Sequence, residues 1–359
     1  MRAMNIPSPP RQSTEDIARE LLALAPAYAR TPLLDLRDLA RELGLAQLLA
    51  KDEGRRYLGS FKSLGGAYAG LRALARVAGT DIAGLCNPGN RRAALPALIC
   101  ASAGNHGLAV AAAARFAGAP AHIYLHADVP SHRARRIAAQ GAEIRRVDGA
   151  YDDAVEVAAE AARAGEGILI ADTADDPADP IVADVMAGYQ IIASEIREQV
   201  ASANYPRPTH LFVQAGVGGL AGAMVAGLKS WLGAPAIVVV VEPEKAACVG
   251  AALAEHRLVR VAGDLKTLAE MLSCGRASAP AIETLRRNDV RAIAVSEAEL
   301  AEAPHALGAA GGPPTTPSGA TGFAGLKRAI ASTDADFAID DGSRILLIVS
   351  EAATEGGPS

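Results

Sequence analysis

One of only six lysines in the 359-residue chain, Lys62, lies in the run "YLGSFKSLGGAYAGL" (57–71). It stands between Phe61 and Ser63, at the head of an apolar helical pattern, with Gly65 and Gly66 just behind it. Lysine is strongly hydrated and seldom fully buried without a partner. One reading is a helix-start lysine whose stem covers apolar surface while the ammonium reaches water. The other is a pocket lysine, made less basic by desolvation and so suited to a Schiff base with an aldehyde cofactor. The two glycines would then let a flat ring come close to the backbone. The remaining lysines are less apt. Lys229, Lys245 and Lys327 fall in helical patterns at positions that can face solvent, and Lys51 and Lys266 adjoin acids.

Two glycine-bearing stretches supply further chemistry. "QAGVGGLAG" (214–222) follows a strand pattern and opens a helix, so the amides of Gly216, Val217, Gly218 and Gly219 can converge on an anion. The same stretch fits a dinucleotide fingerprint, with Glu242 ending the next strand where a ribose-binding acid would sit. On its own it leaves a phosphate cradle, a dinucleotide site and a tight turn open. "SAGNHG" (102–107) lies at a second strand-to-helix junction, where backbone amides can clamp a carboxylate and Asn105 adds an amide side chain. By itself it also reads as a capping turn, and His106 as a packing histidine.

The elements around these stretches are those of an α/β protein. From residue 97 short apolar runs ("ALICAS", "AHIYLH", "EIRRVD", "GILIADT") alternate with helical patterns, which indicates βαβ units and a parallel sheet. A Pro-rich break at 203–209 precedes a second series, "HLFVQA", "AIVVVVEP", "RAIAVS" and "RILLIVS". The stretch 308–322, "GAAGGPPTTPSGATG", reads as a loop, and the tail "EAATEGGPS" as loose. Two doubly wound lobes with mostly parallel sheets follow, with ligands expected outside the C-terminal strand ends, in the cleft between lobes. We expect a large lobe of 1–80 and 188–359 and a smaller inserted lobe of 81–187.

Composition narrows the function. A net charge of −5 with 4% aromatic residues argues against a nucleic-acid surface. Cys86, Cys100, Cys248 and Cys274 are far apart in sequence, which disfavours a disulfide framework or a zinc cluster and fits a reducing compartment. The opening "MRAMNIPSPPRQSTED" lacks the apolar core of a signal peptide, and "PAIVVVVEP" is far shorter than the roughly 20 residues that span a bilayer. The expectation is a cytoplasmic enzyme with no metal, nucleic-acid or membrane partner.

The order of the motifs is more specific than any one of them. "SFKSLGG", "SAGNHG", "AGVGGLAG" and a closing "VSEAATEG" resemble the fold-type II pyridoxal-phosphate enzymes, the tryptophan synthase β-like superfamily. Within it the chain is similar to the diaminopropionate ammonia-lyases. The likeness rests on Phe61 to Ala69, the GNHG loop, Asp172 ahead of Gly188-Tyr189, "PTH…QAGVG" (208–218), "VEPEKAAC" (241–248), "LSCG" (272–275) and "SGATG" (318–322), and it covers about 50–350.

The resemblance implies roles. Lys62 would carry pyridoxal 5'-phosphate and shuttle protons, with Asp172 as a second acid/base. Asn105 would meet the phenolic oxygen, and Ser102, Gly104 and His106 the substrate carboxylate. Gly216, Val217, Gly218 and Gly219 would hold the phosphate, and Ser350 the pyridine nitrogen. A neutral hydroxyl there suits elimination better than transamination. Two departures stand out. Ala103 replaces the family's aspartate in D-G-N-H-G, and "ADDPAD" (174–179) replaces its aromatic-acidic stretch. The implied activity is α,β-elimination from a small β-substituted amino acid such as 2,3-diaminopropionate, giving a 2-oxo acid and ammonia. The alternative is a β-replacement synthase working through the same aminoacrylate. By analogy the enzyme would be a homodimer.

Overall fold

The computed structural model describes residues 13–22, 28–87, 89, 94–332 and 334–353. The first twelve residues and 354–359 of the tail expected to be loose lie outside them. The chain divides by packing into two compact units. The first comprises Met1–Ala29, Lys62–Asp172 and Asp179–Ile191; the second comprises Arg30–Phe61, Thr173–Ala178 and Ile192–Ser359.

The first unit holds α1 (Thr14–Leu22), α3 (Lys62–Ala78), α4 (Ile82–Cys86), β3 (Ala97–Cys100), α5 (Asn105–Ala117), β4 (Ala121–His126), α6 (Ser131–Ala138), β5 (Glu143–Val147), α7 (Tyr151–Arg163) and β6 (Gly167–Leu169). Its four strands are parallel in the order β5-β4-β3-β6. Ile99 and Tyr124 pack on Ala158 and Ala161 of α7. The helix α5 stops where Gly118 turns left-handed at φ 66°, a conformation that glycine adopts without strain. The sequence division drew its boundary at 81–187. By packing, α3 belongs with this unit, because Gly66 and Gly70 bring it up against Ala109 and Ala113 of α5.

The second unit contains β1 (Leu33–Asp35), α2 (Arg37–Glu42), β2 (Gln47–Asp52), β7 (His210–Gln214), α9 (Gly219–Leu228), β8 (Ile237–Pro243), α10 (Cys248–Ala254), α11 (Ala279–Arg286), β9 (Arg291–Val295), α12 (Glu297–Ala309), α13 (Pro317–Ala331) and β10 (Arg344–Val349). Its sheet runs β1-β2-β10-β7-β8-β9, parallel except for the β1 edge. The central strands are apolar over most of their length, "IVVVV" in β8 and "ILLIV" in β10, as burial on both faces demands. Phe212, Val239, Val241, Ile345 and Leu347 share a core with Phe323 and Leu326 of α13.

Two features depart from the sequence reading. The loop expected over 308–322 ends at Thr316, whose hydroxyl caps α13, with Pro317 in the first helical position. Residues 317–322 are therefore helical: a capping threonine and a proline open a helix as readily as they mark a loop. The helix α8 (Pro180–Ser202) had no counterpart in that reading. Its start was signalled by Asp179, which accepts the Val182 N–H at 2.8 Å, and by Pro180.

Candidate active site

In the first unit Lys62 opens α3 and its Nζ donates to Asp172 Oδ2 at 2.5 Å. The two side chains keep 20% and 23% of their surface exposed, so the pair is neither solvated nor sealed. Burial would push the Asp172 carboxyl up, but the Lys62 ammonium, His106 and the hydrogen bond hold it well below the usual carboxylate range. Asp172 is a carboxylate at neutral pH, and its hydrogen bond holds the proton on Lys62. The Tyr189 ring of α8 lies 5.8 Å from Lys62 Nζ, and burial pushes its phenol up to about 12.

The glycines behind Lys62 admit helices. A Cβ on Gly65 would overlap the Tyr189 ring and sit 2.5 Å from the Val185 carbonyl oxygen. A Cβ on Gly66 would come within 2.8 Å of Ala109 on α5. The sequence reading had them admit a ligand ring; their observed neighbours are α8 and α5.

The "SAGNHG" turn places Gly104 ahead of α5, with its N–H on Ser102 Oγ at 3.3 Å. The amides of His106 and Gly107 lie in the first turn of the helix, where N–H groups have no intrahelical acceptor, an arrangement that can take a carboxylate. The His106 ring is engaged elsewhere. Its Nε2 lies 2.9 Å from the Ile170 carbonyl oxygen, which only an N–H can satisfy. Nδ1 is then bare; it faces Gly66 and has no partner. Burial pushes this imidazole down, with Asp172 pulling the other way. His106 can contribute its backbone N–H to a ligand, while its ring packs.

In the second unit the glycine loop joins β7 to α9. Gly218 has φ 94°, which a side chain would strain, and its N–H and that of Gly219 start the helix. The loop's carbonyls are taken: Cys248 Sγ donates to Gly216 O at 3.3 Å, and the Ser278 N–H to Val217 O at 2.9 Å. With the oxygens turned into the protein, the amides are free to face an anion. Ser350 follows β10 and is 4% exposed. Its carbonyl takes the N–H of Phe61, the residue that precedes Lys62 in the chain, at 3.2 Å. Its hydroxyl accepts Gln214 Nε2 at 2.8 Å.

Glu242 resolves the dinucleotide alternative. Both its oxygens are occupied, by the Val249 N–H at 2.8 Å and the Gly250 N–H at 2.7 Å. A carboxyl group spent on the start of α10 has no reach left for a ribose. Sequence reasoning also missed Tyr189 and Gln214 as members of the site. Gln214 left a signal, being the one polar residue past the first position of the buried strand "HLFVQ", at its C-terminal end.

These groups fit a phosphorylated aldehyde with a basic ring nitrogen. The first unit offers an amine held by a carboxylate. The second offers a helix-start amide loop for a dianion and a buried hydroxyl whose own proton has no protein acceptor among the described residues.

Comparison with known proteins agrees. The family model described as "Pyridoxal-phosphate dependent enzyme" matches residues 24–351. The chain is 37% identical over 274 residues to the diaminopropionate ammonia-lyase of Salmonella typhimurium, covering 72% of this chain and 68% of that protein. It is 33% identical over 320 residues to the Escherichia coli enzyme of the same name, covering 88% and 80%. The crystal structure of holo diaminopropionate ammonia-lyase from Escherichia coli superposes with a TM-score of 0.84 at 29% identity, covering 98% of this chain and 92% of that one. The chain belongs to the pyridoxal-phosphate-dependent enzymes, among those like diaminopropionate ammonia-lyase.

Proposed function

We propose that the chain is a pyridoxal-phosphate-dependent lyase that removes the α-proton and the β-substituent of a small amino acid such as 2,3-diaminopropionate, giving a 2-oxo acid and ammonia. The observation that carries this is the Lys62–Asp172 pair at 2.5 Å. Pyridoxal phosphate, when bound, supplies an electron-withdrawing ring that acidifies the substrate's α-carbon. Lys62 would hold it through Nζ and Asn105 would meet its phenolic oxygen. The amides of Gly216, Val217, Gly218 and Gly219 would bind its phosphate, and the Ser350 hydroxyl its ring nitrogen.

The chain's own groups then have distinct tasks. The amides of Gly104 and His106, with the Ser102 hydroxyl, orient the substrate carboxylate. Lys62 Nζ, as a neutral amine, takes the α-proton, shares it with Asp172 across their hydrogen bond, and returns it to the departing β-amine. Transfer over one short hydrogen bond keeps that proton within the site, and such positioned acid–base groups contribute about 10²–10⁴-fold. A hydroxyl at the ring nitrogen donates without surrendering its proton, which favours elimination over transamination. Ala103 supplies no titratable group, so an enantiomer that needs an acid or base at that position is not served. The matched relatives are named for elimination, and among the described residues no contact favours the β-replacement alternative. A cytoplasmic homodimer is part of the same proposal by fold analogy. Among the described residues no helix is long and apolar enough to cross a membrane.

The test is an absorbance spectrum of the purified protein with pyridoxal phosphate, titrated with L- and D-diaminopropionate, serine and threonine. The lysine-bound chromophore should appear, shift with the L-substrate, and be absent in Lys62→Ala. A colourless wild type, or a Lys62→Ala variant retaining both colour and turnover, would overturn the proposal.

A further inference from the structure

Gln214 holds a position that the reaction scheme does not use. It is 1% exposed at the end of β7, and its one amide nitrogen serves two acceptors, Gly319 O at 3.1 Å and Ser350 Oγ at 2.8 Å. Its oxygen Oε1 is buried with no partner. A buried acceptor without a partner is destabilising, and an amide can in principle sit the other way round. Turning the amide over would set Oε1 against the Gly319 carbonyl, and two acceptors cannot share a hydrogen bond. The main-chain carbonyl at the start of α13 thus fixes which end of Gln214 faces Ser350. That gives a role to "SGATG", a motif the reaction scheme leaves without one.

The direction of the second bond follows. Both amide hydrogens point outward, one at Gly319 O and one at Ser350 Oγ. A hydroxyl has one proton and two lone pairs. With a lone pair taken by Gln214, and the Gln214 oxygen on the far side, the Ser350 proton cannot be directed at Gln214. No other acceptor for it exists among the described residues. Resting on the pyridoxal-phosphate reading above, we infer that Gln214 is a positioning residue that polarises Ser350, presenting the serine as an obligate donor so that the cofactor's ring nitrogen stays unprotonated. The residue works through Ser350 and need not touch the cofactor.

The Gln214→Glu substitution inverts the arrangement in either charge state. In the protonated carboxyl the oxygen that replaces Nε2 donates its one proton to Gly319 O and turns a lone pair to Ser350; the ionised carboxylate can only accept. Both draw the Ser350 proton inward and turn a lone pair outward. The experiment is NMR of pyridoxal phosphate labelled at the ring nitrogen, bound to wild type, Gln214→Glu and Gln214→Leu, with far-UV circular dichroism to confirm the fold.

Wild type should show the unprotonated nitrogen signal, and Gln214→Glu a signal moved toward the protonated position at the same pH. In Gln214→Leu the serine loses its orienting donor, and the dissociation constant for pyridoxal phosphate should rise about 2- to 10-fold. Coincident ring-nitrogen signals in wild type and Gln214→Glu would overturn the inference while leaving the cofactor assignment standing. If Gln214→Glu does not fold, an unchanged dissociation constant in Gln214→Leu overturns it. A wild type with no bound-cofactor signal defeats the cofactor reading itself.

Discussion

The heaviest electrostatic investment in the second unit lies in a buried quartet. Lys51, Glu53, Arg56 and Glu195 are each at most 2% exposed and together carry no net charge. Arg56 grips Glu195 with two nitrogens, at 2.9 and 2.8 Å, and reaches Glu53 at 2.8 Å. Lys51 Nζ joins Glu195 at 2.5 Å and the Thr31 carbonyl at 2.8 Å. Arg56→Met leaves two buried carboxylates facing one ammonium; Glu195→Gln leaves two cations facing one carboxylate. Breaking such a pair on one side costs about 3–5 kcal/mol, because the orphaned charge stays desolvated. The double variant restores neutrality with Lys51 and Glu53 alone. It should therefore fall short of the summed losses by at least about 1 kcal/mol.

The assay is urea unfolding at fixed protein and cofactor concentration, followed by the fluorescence of Trp231. That residue is the chain's single tryptophan and belongs to this unit. With slopes of about 1–3 kcal/mol per molar urea, each single variant should lower the midpoint by at least about 1 M. Burial works against ionisation of Glu195, but Arg56 and Lys51 hold it below its ordinary range. The sign is that of a depressed carboxylate: its contribution is present above the unfolded value, near 4.5, and is lost as pH falls through the folded one. The gap between wild type and Glu195→Gln should accordingly close in acid. Single variants shifting the midpoint by less than about 0.3 M, the scale of exposed pairs, would refute the reasoning. So would a double variant that is simply additive.

Other predictions concern the site. Asp172→Asn should retain the bound chromophore while turnover falls by about 10²–10⁴-fold; undiminished turnover in a steady-state ammonia-release assay would remove Asp172 from proton transfer. Ala103→Asp should gain turnover of D-diaminopropionate, read by chiral depletion of a racemic mixture; no gain would show that more than this position excludes the D-isomer. Glu242 is pushed up to about 8 by burial, against the pull of the Val249 and Gly250 N–H groups. Its contribution to stability is therefore complete below about 4.5 and lost as pH rises to about 8, and thermal melts of Glu242→Gln should show a flatter pH dependence over that window.

The strands were legible because those of the sheet interiors are apolar on both faces and punctuated by glycine and proline, as in "AIVVVVEP" and "RILLIVS". The helix starts at Asn105 and Gly219 were legible for the same local reason, since a strand, a glycine turn and a helix leave a signature within ten residues. What could not be read locally was what each side chain would meet. The Lys62–Asp172 contact spans 110 residues, and nothing near Asp172 in sequence names its partner. Glu242 had the right offset for a ribose acid, yet its fate depended on the path of the chain seven residues later. Gly65 and Gly66 showed that something comes close, but not that the visitor is a helix.

That helix contact bears on how Lys62 is aimed. Gly65 and Gly188 face each other so closely that a Cβ on Gly188 would lie 2.8 Å from Gly65 Cα. Successive residues of an α-helix are about 100° apart around its axis, so a roll of α3 by one position would bring Leu64 or Gly66 to that spot. Leu64 would not fit, and Gly66 is already committed to Ala109 of α5. Two missing side chains on adjoining helices thus act as a keyway. They set the azimuth of the first turn of α3, and with it the bearing of the Lys62 amine, through atoms that are not there.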